Sequence, residues 1–328
     1  MHLSNLLKKH YAMVIVSLAF IFFSLYFASA ALHKHQVFFT HYYDLGIMDQ
    51  IIYNTSRGHF MELTDPFGKE NVIRMGLHND LFLAIFAPLY WVFPSVELLL
   101  VLQVIVVASG ALALYEIGVH TKQPVIGALA GVLYLLYPPL QWSVLYEFHA
   151  VTFATPLLLW GWFFLLIRRW PLMWLFFMLA LLTKEQVGFT LGWSMFLGYA
   201  YLILRESRFA KRFLRKDHDS CAWGATRYKS QYIAVGAVSI FWSLLSFLYI
   251  IPHFGTGSHF AIERFSEYGN SPIEVVQELI SHPDLLLQRL FSEPVRRYVS
   301  LLLGPLGGVP LLSPILLLGA WPDFFLSI

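Results

Sequence analysis

Cysteine is nearly missing from this chain: Cys221 stands alone among 328 residues. No disulfide can close within it, and no paired-thiolate metal site can form. Charge is scarce as well. Charged residues make up 13% and hydrophobic residues 58% of the sequence, where a soluble domain carries about 25% charged and roughly 45–50% apolar. The net charge is only +2, and no stretch interleaves basic residues with aromatics, so nothing points to nucleic acid as a partner. No repeat of about 20–50 residues recurs, and no polar linker divides the chain. Residues 1–328 read as a single transmembrane domain.

What is abundant is long apolar sequence. Ala12–Leu32, Val96–Ile117, Pro124–Trp142, Ala150–Ile167 and Tyr232–Ile251 each approach or reach the roughly 20 residues that span about 30 Å of hydrocarbon. The expectation is an all-α, polytopic helical membrane protein in contact with lipid. Lys8, Lys9 and the Ala28-Ser29-Ala30 triplet imitate a cleaved signal peptide. The apolar stretch between them is longer than a signal core and further spans follow, so it reads as an uncleaved first helix.

Trp170–Leu204 is apolar except for Thr183-Lys184-Glu185-Gln186. One helix of that length would run roughly 52 Å, so two short spans meeting at Lys184-Glu185 are expected. A charge at midplane would otherwise cost about 2.5–3.5 kcal/mol. Sidedness follows from Lys and Arg. The loop 205–229 carries eight of them against three acids, and Lys8 and Lys9 flank the first span. Short basic loops stay cytoplasmic, so an even number of crossings must separate the two. Seven apolar candidates lie between them, and the weakest is Leu81–Pro94, broken by Pro88. If it re-enters the same face, Lys122 and Arg168-Arg169 face the cytoplasm. Residues 33–80, Glu147-Phe148-His149, Lys184-Glu185 and residues 253–298 then face outward, and the run Val299–Trp321 forms a last span. A plasma (inner) membrane location with the N-terminus inside is implied.

The outer loop 33–80 holds the most patterned segment. Leu45, Ile47, Met48, Ile51 and Ile52 share one side of a 3.6-period helix, with Asp49 and Tyr53 on another. Asp44 stands where an N-cap belongs and Gly58 where a helix stops. Such an amphipathic helix lies in the membrane interface with its apolar face down.

Tyr43-Asp44-Leu45-Gly46, then Asp49-Gln50 and Asn54-Thr55-x-x-Gly58, resemble a family of polytopic prokaryotic membrane proteins of unknown function placed near the GT-C glycosyltransferases. Leu77-His78-Asn79-Asp80, Ala87-Pro88-Leu89-Tyr90 with Pro94, Glu147-Phe148-His149 and Thr183-Lys184-Glu185 extend the resemblance. It covers most of residues 38–190 and is weaker beyond. The family runs longer, so the chain has the look of a truncated member. GT-C enzymes take a sugar from a polyprenyl-phosphate donor on the non-cytoplasmic face, and carry an acidic residue just after span one, where Asp44 sits. This sequence has one Asp in place of the common Asp-x-Asp pair.

On that resemblance Asp44 and Asp49 are the candidate catalytic carboxylates, able to take a proton from an acceptor hydroxyl. Gln50, His78, Asp80, Glu147, His149, Lys184 and Glu185 are the candidate substrate-binding residues. Lys184, with Arg74 as a looser choice, offers a cation to the departing phosphate; a plain surface pair of Lys184 with Glu185 is the simpler reading. His78, Asp80, Glu147 and His149 are of types that hold a divalent metal ion, though histidines merely capping helix ends account for them too. Two other classes stay open. A transporter or flippase would use Asp44, Glu147, Lys184 and Glu185 as a polar path, although no inverted repeat with matching broken helices is seen. A non-catalytic assembly partner needs no outward acidic cluster.

The sidedness is testable by labelling. With Cys221 replaced by Ser, cysteines at Asp65 and Asn270 react with an impermeant maleimide in intact cells. Native Cys221 reacts only after permeabilisation, and its labelling in intact cells overturns the partition.

Overall fold

The computed structural model describes residues 2–40, 42–65, 68, 70–206, 229–255, 268–269 and 272–327. Nearly all of the expected basic loop 205–229, Cys221 included, lies outside the described residues, as do residues 256–267 of the second expected outer loop. The described chain is helical apart from one hairpin. Helix α1 (His2–Gln36) leads to α2 (Tyr42–Ser56), followed by strands β1 (Glu62–Thr64) and β2 (Asn71–Ile73), which pair antiparallel with Leu63 opposite Val72. A short helical segment, Leu81–Tyr90, comes next. Then follow α3 (Val96–His120), α4 (Pro124–Leu136), α5 (Pro138–Tyr146), α6 (Ala154–Leu166), α7 (Trp170–Leu181), α8 (Val187–Glu206) and α9 (Lys229–Phe254). Last are α10 (Pro272–Ser281), α11 (Pro283–Leu290), α12 (Glu293–Leu303) and α13 (Pro314–Ser327).

Among the described residues, Leu7–Gln36, α3, Val187–Leu204 and α9 are long and apolar enough to cross a membrane. Helices α4 and α5 meet at a 49° bend and make a fifth crossing if taken together. Leu81–Tyr90 is short, as the sequence suggested, and folds Phe82, Leu83, Phe86 and Tyr90 into the protein's own core. Helix α7 matches the expected first half-run to within a residue: its 12 residues reach only about 18 Å, and the turn at 182–186 ends it.

Helix boundaries follow local chemistry. Pro stands in the first turn of α4, α5, α7, α11 and α12, where its missing N–H costs no helical bond. Helix α2 ends in the Schellman pattern, with Gly58 N–H bonded to Thr55 O and His59 N–H to Asn54 O. Gly58 has φ +93°, a conformation glycine adopts without strain. The expected span Val299–Trp321 is not one helix. Gly307 and Gly308 take φ of 57° and 71°, and Pro305, Pro310 and Pro314 supply no N–H, so α12 and α13 are separated by short 3-10 turns. Pro322 within α13 leaves the Leu318 carbonyl without its helical donor. The Trp193 indole of α8 donates to that oxygen at 2.6 Å and docks α13 there.

Among the described residues, three apolar clusters hold helices together. One joins α1, α3, α4 and α5 through Val16, Phe23, Val104, Ala108 and Leu135. Helices α3 and α4 come so close that a Cβ on Gly118 would meet the Gly127 Cα at 2.4 Å. A second joins α6–α9 through Met173, Phe177, Met195 and Val235. The third caps one end of the bundle: Leu45, Met48, Ile51 and Ile52 of α2 pack on Leu63, Phe82, Phe86, Phe148 and Phe153. The apolar side chains of α2 share one face as expected, and that face covers this protein cluster.

Candidate functional site

The α2 motif is first a clamp on the hairpin. Gln50 donates to Thr64 Oγ1 at 2.9 Å and accepts from the Thr64 amide at 3.2 Å. Asn54 donates to Glu62 O, and Thr55 Oγ1 accepts from the Met61 amide, each at 2.9 Å. These three polar residues, spaced to follow one flank of a helix, satisfy the near edge of β1. Gln50 thus serves the hairpin.

Asp44 is not the N-cap. Helix α2 begins at Tyr42, which puts Asp44 in its first turn. A helix start leaves its first four N–H groups without intrahelical partners. Here the Leu45 amide donates to Glu147 Oε2 at 3.2 Å, so the cap comes from another element and the Asp44 side chain is released. Its carboxylate accepts from the Tyr146 hydroxyl at 3.4 Å and lies 3.9 Å from His149 Nε2, with 34% of the side chain exposed. Burial pushes the His149 imidazolium down; Asp44 pulls the other way and Lys184 reinforces the fall.

Glu147-Phe148-His149 is held from both sides. Phe148 is fully buried in the aromatic cluster, its ring 5.4 Å from Phe86 and 5.6 Å from Phe153. Gln103 of α3 donates to Glu147 O at 2.8 Å and accepts from the His149 amide at 2.9 Å. Lys34 of α1 donates to the Leu145 and Tyr146 carbonyls at 3.0 and 3.2 Å, closing the C-terminus of α5.

A second cluster gathers at the turn between α7 and α8. Glu185 is buried, bonded to His78 Nδ1 at 2.8 Å and accepting from the Asn79 amide at 3.1 Å. The Asn79 side chain donates to Ser246 Oγ at 2.7 Å, where α9 widens into a π turn over Ser246–Ile250. Arg74 forks onto Asp80 with both carboxylate oxygens engaged, at 2.8–3.1 Å. Burial opposes the Arg74 charge, and Asp80, Glu185 and Asp44 together outweigh it. Lys184 is partly buried, its ammonium makes no hydrogen bond or ion pair among the described residues, and it acts electrostatically on both His149 and Glu185. The surface pair Lys184–Glu185 does not form, since the Glu185 carboxylate is buried on His78 and Asn79.

Asp49 does not join Asp44. Five positions along a helix turn it about 140° away, and it accepts from the buried Tyr90 hydroxyl at 2.6 Å. Among the described residues no group of three or more His, Cys, Asp or Glu could hold a metal ion. The four residues considered for one are divided: His78 is bonded to Glu185, Asp80 to Arg74, and Glu147 to the start of α2. The donor set does not fit a divalent cation. Gln103 and Tyr146 were missed by the sequence reading. Gln103 did leave a signal, as the sole polar side chain between Leu98 and Ala108, because a lone amide in hydrocarbon must find partners.

The buried Glu185 gives an acid-stability prediction. Burial alone would raise its carboxyl, but the His78 hydrogen bond and charge, with Lys184 and a backbone donor, hold it at about 2, below 4.5. A depressed folded value contributes stability that is present above pH 4.5 and lost as pH falls toward 2. At about 1.4 kcal/mol per unit the loss is on the order of 3 kcal/mol. Thermal midpoints in detergent should therefore fall more steeply across that window for wild type than for Glu185→Gln; parallel curves contradict the assignment.

No curated protein and no solved structure matches the chain. Residues 34–328 match the family described as "Predicted membrane protein (DUF2079)". The match takes in α2, the hairpin, both polar clusters and every helix after α1, and the chain belongs to this family of membrane proteins.

Proposed function

We infer that the protein is a membrane glycosyltransferase of the GT-C kind, moving a sugar from a polyprenyl-phosphate donor to an acceptor hydroxyl at the outer face of the plasma (inner) membrane. One observation carries the reading. Of the four acids in the two polar clusters, Asp80 and Glu185 are buried on internal partners and Glu147 caps α2, whereas Asp44 keeps a third of its side chain exposed. A carboxylate so presented has a use that a buried structural one lacks.

In the proposed step the acceptor oxygen attacks the anomeric carbon and the hydroxyl proton passes to the Asp44 carboxylate. The bond from the anomeric carbon to the phosphate oxygen breaks, and its electron pair leaves with the lipid phosphate. Lys184 is the cation for that charge. Its field reaches His149, which stands 3.9 Å from Asp44. His149 and Tyr146 position the carboxylate. Asp49, bonded to Tyr90, holds α2 against the core and takes no proton.

A transfer assay with purified protein in lipid tests this. General-base catalysis contributes about 10²–10⁴-fold, so Asp44→Asn should lower kcat by that order with donor binding and yield nearly unchanged. Lys184→Ala should weaken donor binding more than folding. Full turnover by Asp44→Asn rules the reading out and moves a transport or assembly role ahead.

A further inference from the structure

Among the described residues, five left-handed residues close helical turns by one bonding pattern, and one of them is out of character. At Gly58 and Gly307 the residue is glycine, which is free to adopt the conformation. At Lys122 and Arg168 it is basic, complementing the negative end of a helix. At the end of α1 it is Phe38, with φ 58°. Its amide donates to His35 O and the Phe39 amide to Lys34 O, the full Schellman pattern. A phenylalanine accepts backbone strain there and is nonetheless 92% exposed, with Phe39 beside it at 74%.

A second apolar tip, Trp91-Val92-Phe93, is 65–69% exposed. Its indole N–H is bound to Ser56 O at 2.8 Å, which fixes the tryptophan to the C-terminal end of α2. Phe38 and Phe39 precede the N-terminal end of α2. The two tips thus bracket a helix about 22 Å long. They also share a membrane face. Helices α1 and α3 pack antiparallel, as Tyr115 reaches Lys9 O at one end while Glu97 feels His35 at the other. Hence the exit of α1 and the approach to α3 lie where two crossing helices leave the hydrocarbon. No charged residue falls within 37–39 or 91–93.

We propose that Phe38-Phe39 and Trp91-Val92-Phe93 are a two-point anchor inserted among the acyl chains of the bilayer, laying α2 along the membrane surface at fixed depth. Their occupant is bilayer lipid, because exposed apolar side chains at the ends of crossing helices meet the interface first. This holds whether or not sugar transfer is the activity, and its test reads depth rather than turnover.

Single nitroxide labels at Phe39→Cys or Val92→Cys, in a Cys221→Ser background, are placed in vesicles of phosphatidylcholine and phosphatidylglycerol. Both labels should collide several-fold more often with lipid-soluble oxygen than with an aqueous nickel chelate. Phe38→Gly suits the left-handed backbone, so a purely structural role would leave the Phe39 label unmoved; anchoring predicts that it shifts toward water. Labels open to nickel overturn the proposal. So do labels shielded from both reagents, which would mean that protein covers the tips, and so does an unmoved label in Phe38→Gly.

Discussion

The end of the bundle that carries α2 depends on a bond between residues 102 positions apart, from the Leu45 amide to the buried Glu147 carboxylate. A helix start carries unsatisfied N–H groups and a partial positive charge, and Glu147 answers both. It can do so because Gln103 grips the backbone on either side of Phe148 and the phenyl ring is sunk in the aromatic cluster. Three elements meet there: a crossing helix, the turn after α5 and the surface helix α2. With Glu147 as cap, Asp44 is left partly exposed beside Tyr146 and His149.

The remaining charges divide between structure and availability. Arg74–Asp80 and His78–Glu185 are buried with hydrogen bonds on several sides, and removing one partner of such a pair strands the other. They pin the hairpin, the Leu81–Tyr90 segment and the α7–α8 turn to α9. Asp44 and Lys184 are the charges of these two clusters not buried on an internal partner, and the sugar transfer proposed here, in which a hydroxyl loses a proton and a lipid phosphate departs, would use one of each sign.

Much of this could be read in the sequence, and the reasons for the rest are physical. Spans depend on composition, so α1, α3 and α9 were legible, and Lys184-Glu185 marked the break between α7 and α8. Gly58 announced its stop by residue type. Asp44 reads as a cap only where capping is local, whereas Glu147 arrives from a distant turn. The last expected span failed because hydropathy does not register Gly307-Gly308 and the prolines around them. Chemical likeness grouped His78, Asp80, Glu147 and His149, but partners sorted them, and partners at long range leave no trace in a single sequence.

Hydrogen exchange at the start of α2 tests the central claim most directly. If the Gln103–Glu147 bridge fixes that helix, Gln103→Leu, similar in size but unable to bond the backbone, frees the Leu45 amide. Exchange over residues 43–48 should then be several-fold faster than in wild type, with the α3–α4 contact at Gly118 and Gly127 unchanged. Equal protection in the two proteins would contradict that claim.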